Sequence, residues 1–338
     1  MHNYPKFSNQ DYVLPNQADW QGRTDADETA ARFFQIVQCK SIESFITSKP
    51  STNKPIITLL GFACDEGVRR NQGRVGAAVA PHMLRQALAN FPLHDKALSL
   101  DLIDLGDITC PSGDLEQSQH YLSEAVQWLL AKKAFPLILG GGHETAWGHY
   151  GGFKDKILSK NVAIINFDAH FDMRPTLPGD LGSSGTSFLQ IAKDLQANQS
   201  AFNYYCLGIK QSSNTRALFE CAKQWNVKYL TCDDMYAAPT AANQFIDNII
   251  ASHDVLYVSV CLDVFSSAYA PGVSAASPYG LAPWQVLPLL RRLGSSKKVI
   301  AFDVVELAPP FDHNNLTAKL GAQCIAEFLY FYESFNLA

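Results

Sequence analysis

Short apolar runs rich in β-branched residues recur along the chain, separated by stretches of helical period. The runs fall near Ile56–Leu60, Leu98–Leu105, Pro136–Leu139, Val162–Ile165, Tyr204–Leu207, Val227–Leu230, Val255–Ser259 and Val299–Phe302. Their length and near-continuous hydrophobicity are those of strands buried on both faces. Helical spacing covers Pro81–Ala89, Leu115–Ala131, Thr215–Gln224, Ala241–Ser252, Trp284–Leu293 and Thr317–Phe335. Eight strands alternating with helices predict an α/β fold with a mainly parallel sheet covered on both sides. No internal repeat, low-complexity tract or Pro/Ser-rich linker breaks the pattern, so residues 1–338 read as a single domain. Within it, 1–54 form a polar lead-in with one helix around Asp27–Gln38, and 55–338 form the α/β core. The pattern alone leaves an open sheet and a closed (β/α)₈ barrel as alternatives.

Polar groups collect where several of these strands end. In Ile164-Ile-Asn-Phe-Asp-Ala-His-Phe-Asp-Met-Arg174, the side chains of Asp168, His170 and Asp172 alternate after an apolar run. On an extended strand they share one face. Two acids and an imidazole suit a borderline-to-hard divalent cation such as Mn²⁺; the plain alternative is a strand end dipping into solvent. Upstream, Phe135-Pro-Leu-Ile-Leu-Gly-Gly-Gly-His-Glu144 carries an apolar strand into three glycines and then His143, at a strand-to-helix junction. Glycines there allow a tight turn and a close backbone approach. Downstream, alternation in Val255–Val264 puts Ser259, Cys261 and Asp263 on one face, and Glu306 closes the strand Ala301-Phe-Asp-Val-Val-Glu306. Open α/β sheets bind ligands outside the carboxyl ends of their strands, so these segments are expected to meet in one site.

Composition narrows the function classes. Hydrophobic residues make up 47% and charged residues 17% of the chain, enough for a sizeable core. A net charge of −5 gives no reason to expect nucleic acid or an anionic membrane as partner. The start, Met1-His-Asn-Tyr-Pro-Lys6, does not read as a signal peptide, and no apolar run approaches the roughly 18 residues of a membrane span. Cysteines at 39, 64, 110, 206, 221, 232, 261 and 324 form no Cys-x-x-Cys pair, which reads as reduced thiols of a cytoplasmic protein. The glycine triplet is not followed by Gly-Lys-Ser/Thr, and no Gly-x-Ser-x-Gly elbow occurs, so neither a phosphate loop nor a serine hydrolase is implied. His149 within its helix, and His253 with Asp254 at the opposite strand edge, read as packing or solvated groups.

Gly140-Gly-Gly-His-Glu144, Asp168-Ala-His-Phe-Asp172 and Ser259-x-x-x-Asp263, in this order, resemble the signature motifs of the ureohydrolases: arginases, agmatinases and formimidoylglutamases. The resemblance runs from about Leu59 to about Ala322. Phe171 and Arg174, Ser183-Ser-Gly-Thr186 and Ala270-Pro-Gly-Val-Ser-Ala275 are similar to the formimidoylglutamase branch. The resemblance implies an open three-layer α/β/α sandwich of the arginase type. It implies two Mn²⁺ per subunit, one on His143 and Asp172, the other on His170 and Asp263, with Asp168 bridging. A second bridging aspartate is expected where this chain has Cys261. Three aspartates and a hydroxide balance two divalent ions, so a neutral thiol is electrostatically compatible with a dinuclear site. For Cys261, ligation as thiolate, a neutral neighbouring thiol and a preference for a softer metal all stay open, beside the reading as a small buried hydrophobe.

By the same resemblance, the reaction is hydrolysis of N-formimidoyl-L-glutamate to L-glutamate and formamide, a step of histidine degradation, by a metal-bound hydroxide. Asp263 would carry the proton to the leaving nitrogen, and Glu306 would pair with the cationic formimino group. Ser184 stands where arginases have a histidine. Arg174 is the first candidate for a substrate carboxylate, with Asn71, Arg74, Lys210 and Asn214 behind it. The alternatives are a ureohydrolase for agmatine or a guanidino acid, and a catalytically weak metal-binding relative marked by Cys261. The family commonly forms homo-oligomers, but the chain shows no coiled-coil seam.

Overall fold

The central apolar runs become strands because each can bury both faces, whereas the run at Lys228–Thr231 forms an exposed edge. In the computed structural model, which describes residues 7–27, 29–47, 54–94, 97 and 99–335, ten strands form one sheet. They are β1 (Tyr12–Val13), β2 (Gln38–Cys39), β3 (Ile56–Ala63), β4 (Asp101–Thr109), β5 (Ala134–Leu139), β6 (Val162–Phe167), β7 (Asn203–Ile209), β8 (Lys228–Thr231), β9 (Val255–Cys261) and β10 (Val299–Val305). The main path runs β4-β3-β5-β10-β9-β6-β7-β8, parallel throughout. The path has two free ends, so the sheet is open and the barrel is excluded. Every residue of β5, β6, β9 and β10 is buried, which is why these strands read as unbroken apolar runs.

Alternate residues feed two cores. Leu137, Leu139, Ile165, Val258, Val260 and Val304 pack with helices Ala80–Ala89, Pro283–Gly294 and Leu316–Phe331. Ile138, Ile164, Tyr257 and Ala301 pack on the other side with helices Leu115–Ala131, Thr145–Ile157 and Ser187–Ala197. This is the three-layer α/β/α sandwich. Among the described residues no helix is long and apolar enough to cross a membrane.

The lead-in departs from expectation. The helix expected over Asp27–Gln38 is a single turn, Phe33–Ile36, and Gln38–Cys39 instead pair in parallel with Ile103 and Asp104; Glu28 lies outside the described residues. Tyr12–Val13 pair antiparallel with Ile108 and Asp107 on the same strand. The sheet therefore has ten strands where eight are expected. The reason is that β4 is an edge, and its unpaired backbone groups offer more to a short segment than one further helical turn does. Leu98, where the second strand is expected to begin, also lies outside the described residues, and β4 runs on to Thr109. The last helix stops at Phe331 rather than Phe335.

A buried charge cluster fastens the lead-in. Trp20 Nε1 donates to Asp104 Oδ2 at 2.8 Å. Arg85, which is 1% exposed, pairs with the same oxygen at 2.9 Å and with Asp107 at 2.6 Å. Breaking one side of a buried pair strands the other charge. Arg85→Met is therefore expected to lower the unfolding free energy by about 3–5 kcal/mol, measured by denaturant titration.

Candidate metal centre and cleft

Four neighbouring strands, β5, β10, β9 and β6, end on one rim of the sheet. The segments following them supply His143, Glu306, Asp263 and the run Asp168–Asp172, while β9 itself ends in Cys261. Asp168, His170 and Asp172 do not sit on an extended strand as expected. β6 ends at Phe167, and Asp172 takes a left-handed backbone with φ 48°. Asp263 likewise lies in the 3₁₀ turn Leu262–Val264 just past β9. The loop is held in place by its neighbours. Asn166 Nδ2 donates to Asp168 Oδ2 at 3.0 Å, and Tyr204 Oη donates to the carbonyl of Phe171 at 3.0 Å. Asn214 donates to the carbonyl of Ala169 at 2.8 Å and accepts from Phe171 N at 3.1 Å.

The glycine turn serves close packing. A Cβ on Gly141 would run into the carbonyl of Cys64, and one on Gly142 into the carboxylate of Glu144. That compact turn puts His143 N 2.8 Å from Glu306 Oε1, to which it donates. Glu306 has φ 69°, another left-handed non-glycine residue at the site.

Asp168 is central. Its Oδ2 lies 2.9 Å from His143 Nδ1, and its Oδ1 lies 3.4 Å from His170 Nδ1. His143 Nδ1 is also 2.9 Å from Asp172 Oδ2, and His170 Nδ1 is 3.1 Å from Asp263 Oδ2. Two donor groups result: His143, Asp168 and Cys261, and Asp168, His170 and Asp263, each with ligating atoms within 4.8 Å of one another. His143 Nδ1 is buried yet makes no hydrogen bond of proper geometry, although carboxylates stand close to it. A lone pair turned toward acids and a sulfur fits a divalent cation between them. Asp168 is common to both donor groups, and the residues present would fit two divalent cations.

The electrostatics agree. Burial disfavours charge on His143 and His170, but the facing carboxylates outweigh it and hold both imidazoles well above their ordinary range. Burial raises Asp172, with Asp168 adding to the effect. Glu306 is raised well above its usual value by burial, then by Glu144 and Asp263. Burial and the carboxylates of Asp168, Asp263, Glu306 and Asp172 push the Cys261 thiol well up. Four carboxylates, of Asp168, Asp172, Asp263 and Glu306, face two imidazoles here, an excess that bound cations would offset.

Above these groups opens a cleft of about 310 Å³. His170, Asp172, Cys261, Asp263 and Glu306 line it, with Asn71, Arg74, Arg174 and Ser184. Arg174 is exposed, and no ion pair engages its guanidinium among the described residues. Arg74 lines the wall, but Nε and Nη2 donate to the carbonyls of Ser274 and Val273, so much of its fork is spent joining two loops. Asn214 and Lys210 stand elsewhere. The Asn214 amide is consumed by the loop at 169–171 and the carbonyl of Lys210, and Lys210 Nζ donates to the carbonyl of Asp263 at 3.2 Å. Both side chains brace backbone beside the site.

Sequence reasoning missed a buried relay behind His143. His143 Nε2 lies 2.9 Å from Ser259 Oγ, and Ser259 donates to Asp303 Oδ1. Asp303 Oδ2 accepts from Tyr257 at 2.6 Å and sits 2.7 Å from His149 Nδ1. His149 is thus no idle packing group. The available signal was Asp303 itself, an acid inside an apolar strand, register partner of Ser259.

A sequence profile of the Arginase family matches residues 56–330. The chain is 41% identical over 319 residues to a formimidoylglutamase of Legionella pneumophila (strain Lens), covering 94% of this chain and 97% of that protein. It is 43% identical over 326 residues to a formimidoylglutamase of Geobacillus sp. (strain WCH70), covering 95% and 97%. In fold it is similar to the crystal structure of formimidoylglutamase from Bacillus subtilis, with TM-score 0.77, 24% identity, and coverage of 91% of this chain and 93% of that one. It is also similar to Trypanosoma cruzi formiminoglutamase solved with Mn²⁺, with TM-score 0.74, 23% identity, and coverage of 86% and 98%.

The relay fixes which His143 nitrogen is free. Removing the Ser259 hydroxyl is expected to leave the fold intact and to weaken Mn²⁺ binding by about 10–100-fold, measured by calorimetry on Ser259→Ala.

Proposed function

The chain belongs to the arginase family, and from that premise we propose that it hydrolyses N-formimidoyl-L-glutamate to L-glutamate and formamide. The observation that carries this reading is the two-ended cleft. Its floor places the Glu306 carboxylate beside the candidate metal ligands, and its rim presents Arg174. A substrate with a cationic formimino group at one end and carboxylates at the other matches both ends. A purely cationic substrate such as agmatine would leave Arg174 facing like charge.

His143, Asp168 and Asp172 would hold one divalent cation, with Cys261 beside it, and Asp168, His170 and Asp263 would hold the other, a Mn²⁺. When bound, such cations acidify a water towards neutrality and stabilise charge on the reacting centre. The remaining work falls to the chain. Glu306, its carboxylate fixed by His143 N, pairs with the formimino nitrogen and orients its carbon above the floor. Asp263 takes the proton of the attacking water and delivers it to the glutamate nitrogen as the C–N bond breaks. Arg174 and the Ser184 hydroxyl, with Asn71, anchor the carboxylates at the rim. A volume of about 310 Å³ suits a small amino-acid derivative. The free thiols at all eight cysteines suit a reducing cytoplasm, where we place the protein.

The assay is release of formamide and glutamate by purified protein, before and after Mn²⁺ loading, with metal content measured on the same sample. Turnover rising as the centre fills is expected; urea release from a guanidino compound in its place would replace the substrate assignment. Asp168→Asn should abolish turnover by more than about 100-fold, beyond the loss of a supporting contact, and surviving turnover would defeat the metal-dependent mechanism. Arg174→Ala should raise KM by about tenfold, the worth of one charge-assisted hydrogen bond at an exposed rim, with kcat little changed in steady-state kinetics.

A further inference from the structure

The two donor groups on the floor differ in chemical kind. Asp168, His170 and Asp263 offer oxygen and nitrogen only. His143, Asp168 and Cys261 add a sulfur, and all three residues are buried to 1% exposure. The position of Cys261 is not adaptable. It ends β9, paired with Val305 of β10, inside a fully buried strand. His143 cannot turn away either, because Ser259 occupies its other ring nitrogen and leaves Nδ1 facing the group with no hydrogen-bond partner.

We propose that Cys261 Sγ is a ligand of the cation on the His143 side, and that this side selects a borderline or soft divalent ion, such as Co²⁺, Zn²⁺ or Cd²⁺, over Mn²⁺. Sulfur binds such ions through polarisable, partly covalent bonds, whereas carboxylate and imidazole suit Mn²⁺. As the sulfur–metal bond forms, the thiol proton passes to solvent. The His170 side keeps hard donors. The two sides share only Asp168, so one centre can hold unlike ions. This inference rests on the metal-dependent reading above and deepens it.

The test uses the metal-free full-length chain titrated with Co²⁺ and followed in the near ultraviolet, with metal content measured in parallel. Co²⁺ outcompetes Mn²⁺ at most sites, so competition alone does not decide. A thiolate-to-cobalt charge-transfer band does, because Cys261 carries the only sulfur among the residues lining the cleft. The expected result is a band that saturates with one Co²⁺ per chain and survives excess Mn²⁺. Cys261→Ser and Cys261→Asp should lose it, and Cys261→Asp should bind Mn²⁺ on both sides. Circular dichroism confirms that the variants fold, and the aspartate variant serves if the serine variant does not. Two bound Co²⁺ without a band overturn the sulfur ligand and leave the metal-dependent reading standing. A band that persists in both variants also overturns it. Failure to bind either Co²⁺ or Mn²⁺ defeats both readings together.

Discussion

One carboxylate, that of Asp168, organises the site. It is 1% exposed, and its two oxygens face two different histidines. An anion so buried needs positive charge and donors on every side. Asn166 and the backbone N–H of His170 supply hydrogen bonds, and the imidazoles supply part of the charge. The carboxylates of Asp172 and Glu306 crowd in as well, raised chiefly by burial and further by neighbouring acids. The surrounding fold keeps these acids where cations would be bound.

Holding that arrangement strains the backbone. Asp172 and Glu306 both sit at positive φ without being glycine. Such conformations cost about 1–3 kcal/mol each and persist only where neighbours over-determine them. Here they do. The carbonyl of Asp172 accepts from Phe188 N at 3.2 Å, and Glu306 N donates to Gly141 O at 2.8 Å while its side chain accepts from His143 N. The compact Gly141–Gly142 turn is therefore joined to Glu306 twice. Displacing one end would move both a ligand and the residue assigned to the substrate cation.

Support for the centre comes from layers below it. The Ser259–Asp303 relay links β9 to β10 and dictates the free nitrogen of His143, while Tyr257 of β9 and His149 of helix Thr145–Ile157 engage the same aspartate. Asn214 and Tyr204 secure the loop after β6 from the β7 side, and Lys210 Nζ holds the carbonyl of Asp263 just past β9. Residues with no place against substrate thus fix the geometry of those that have one, as expected for a preorganised site on a rigid sheet.

The sequence by itself determined the parallel α/β core, because the central strands bury both faces and need unbroken apolar runs, and eight apolar runs are visible along the chain. It also marked the candidate ligands, since His143, Asp168, His170, Asp172 and Asp263 each stand just past such a run, where local pattern marks a strand end. Tertiary structure decided what depends on partners distant in the chain. It gave Gln38–Cys39 to a sheet edge that local helical pattern does not register, and it turned Asp168–Asp172 from an extended strand into a loop with one left-handed residue. It removed Asn214 and Lys210 from the cleft by engaging them with backbone groups. It brought Asp303 and His149 into the support of His143 across 160 and 6 positions of sequence, and it set the sulfur of Cys261 within 4.8 Å of His143 and Asp168. Sequence periodicity records which face a residue takes; only the packed sheet decides which other residues arrive at that face.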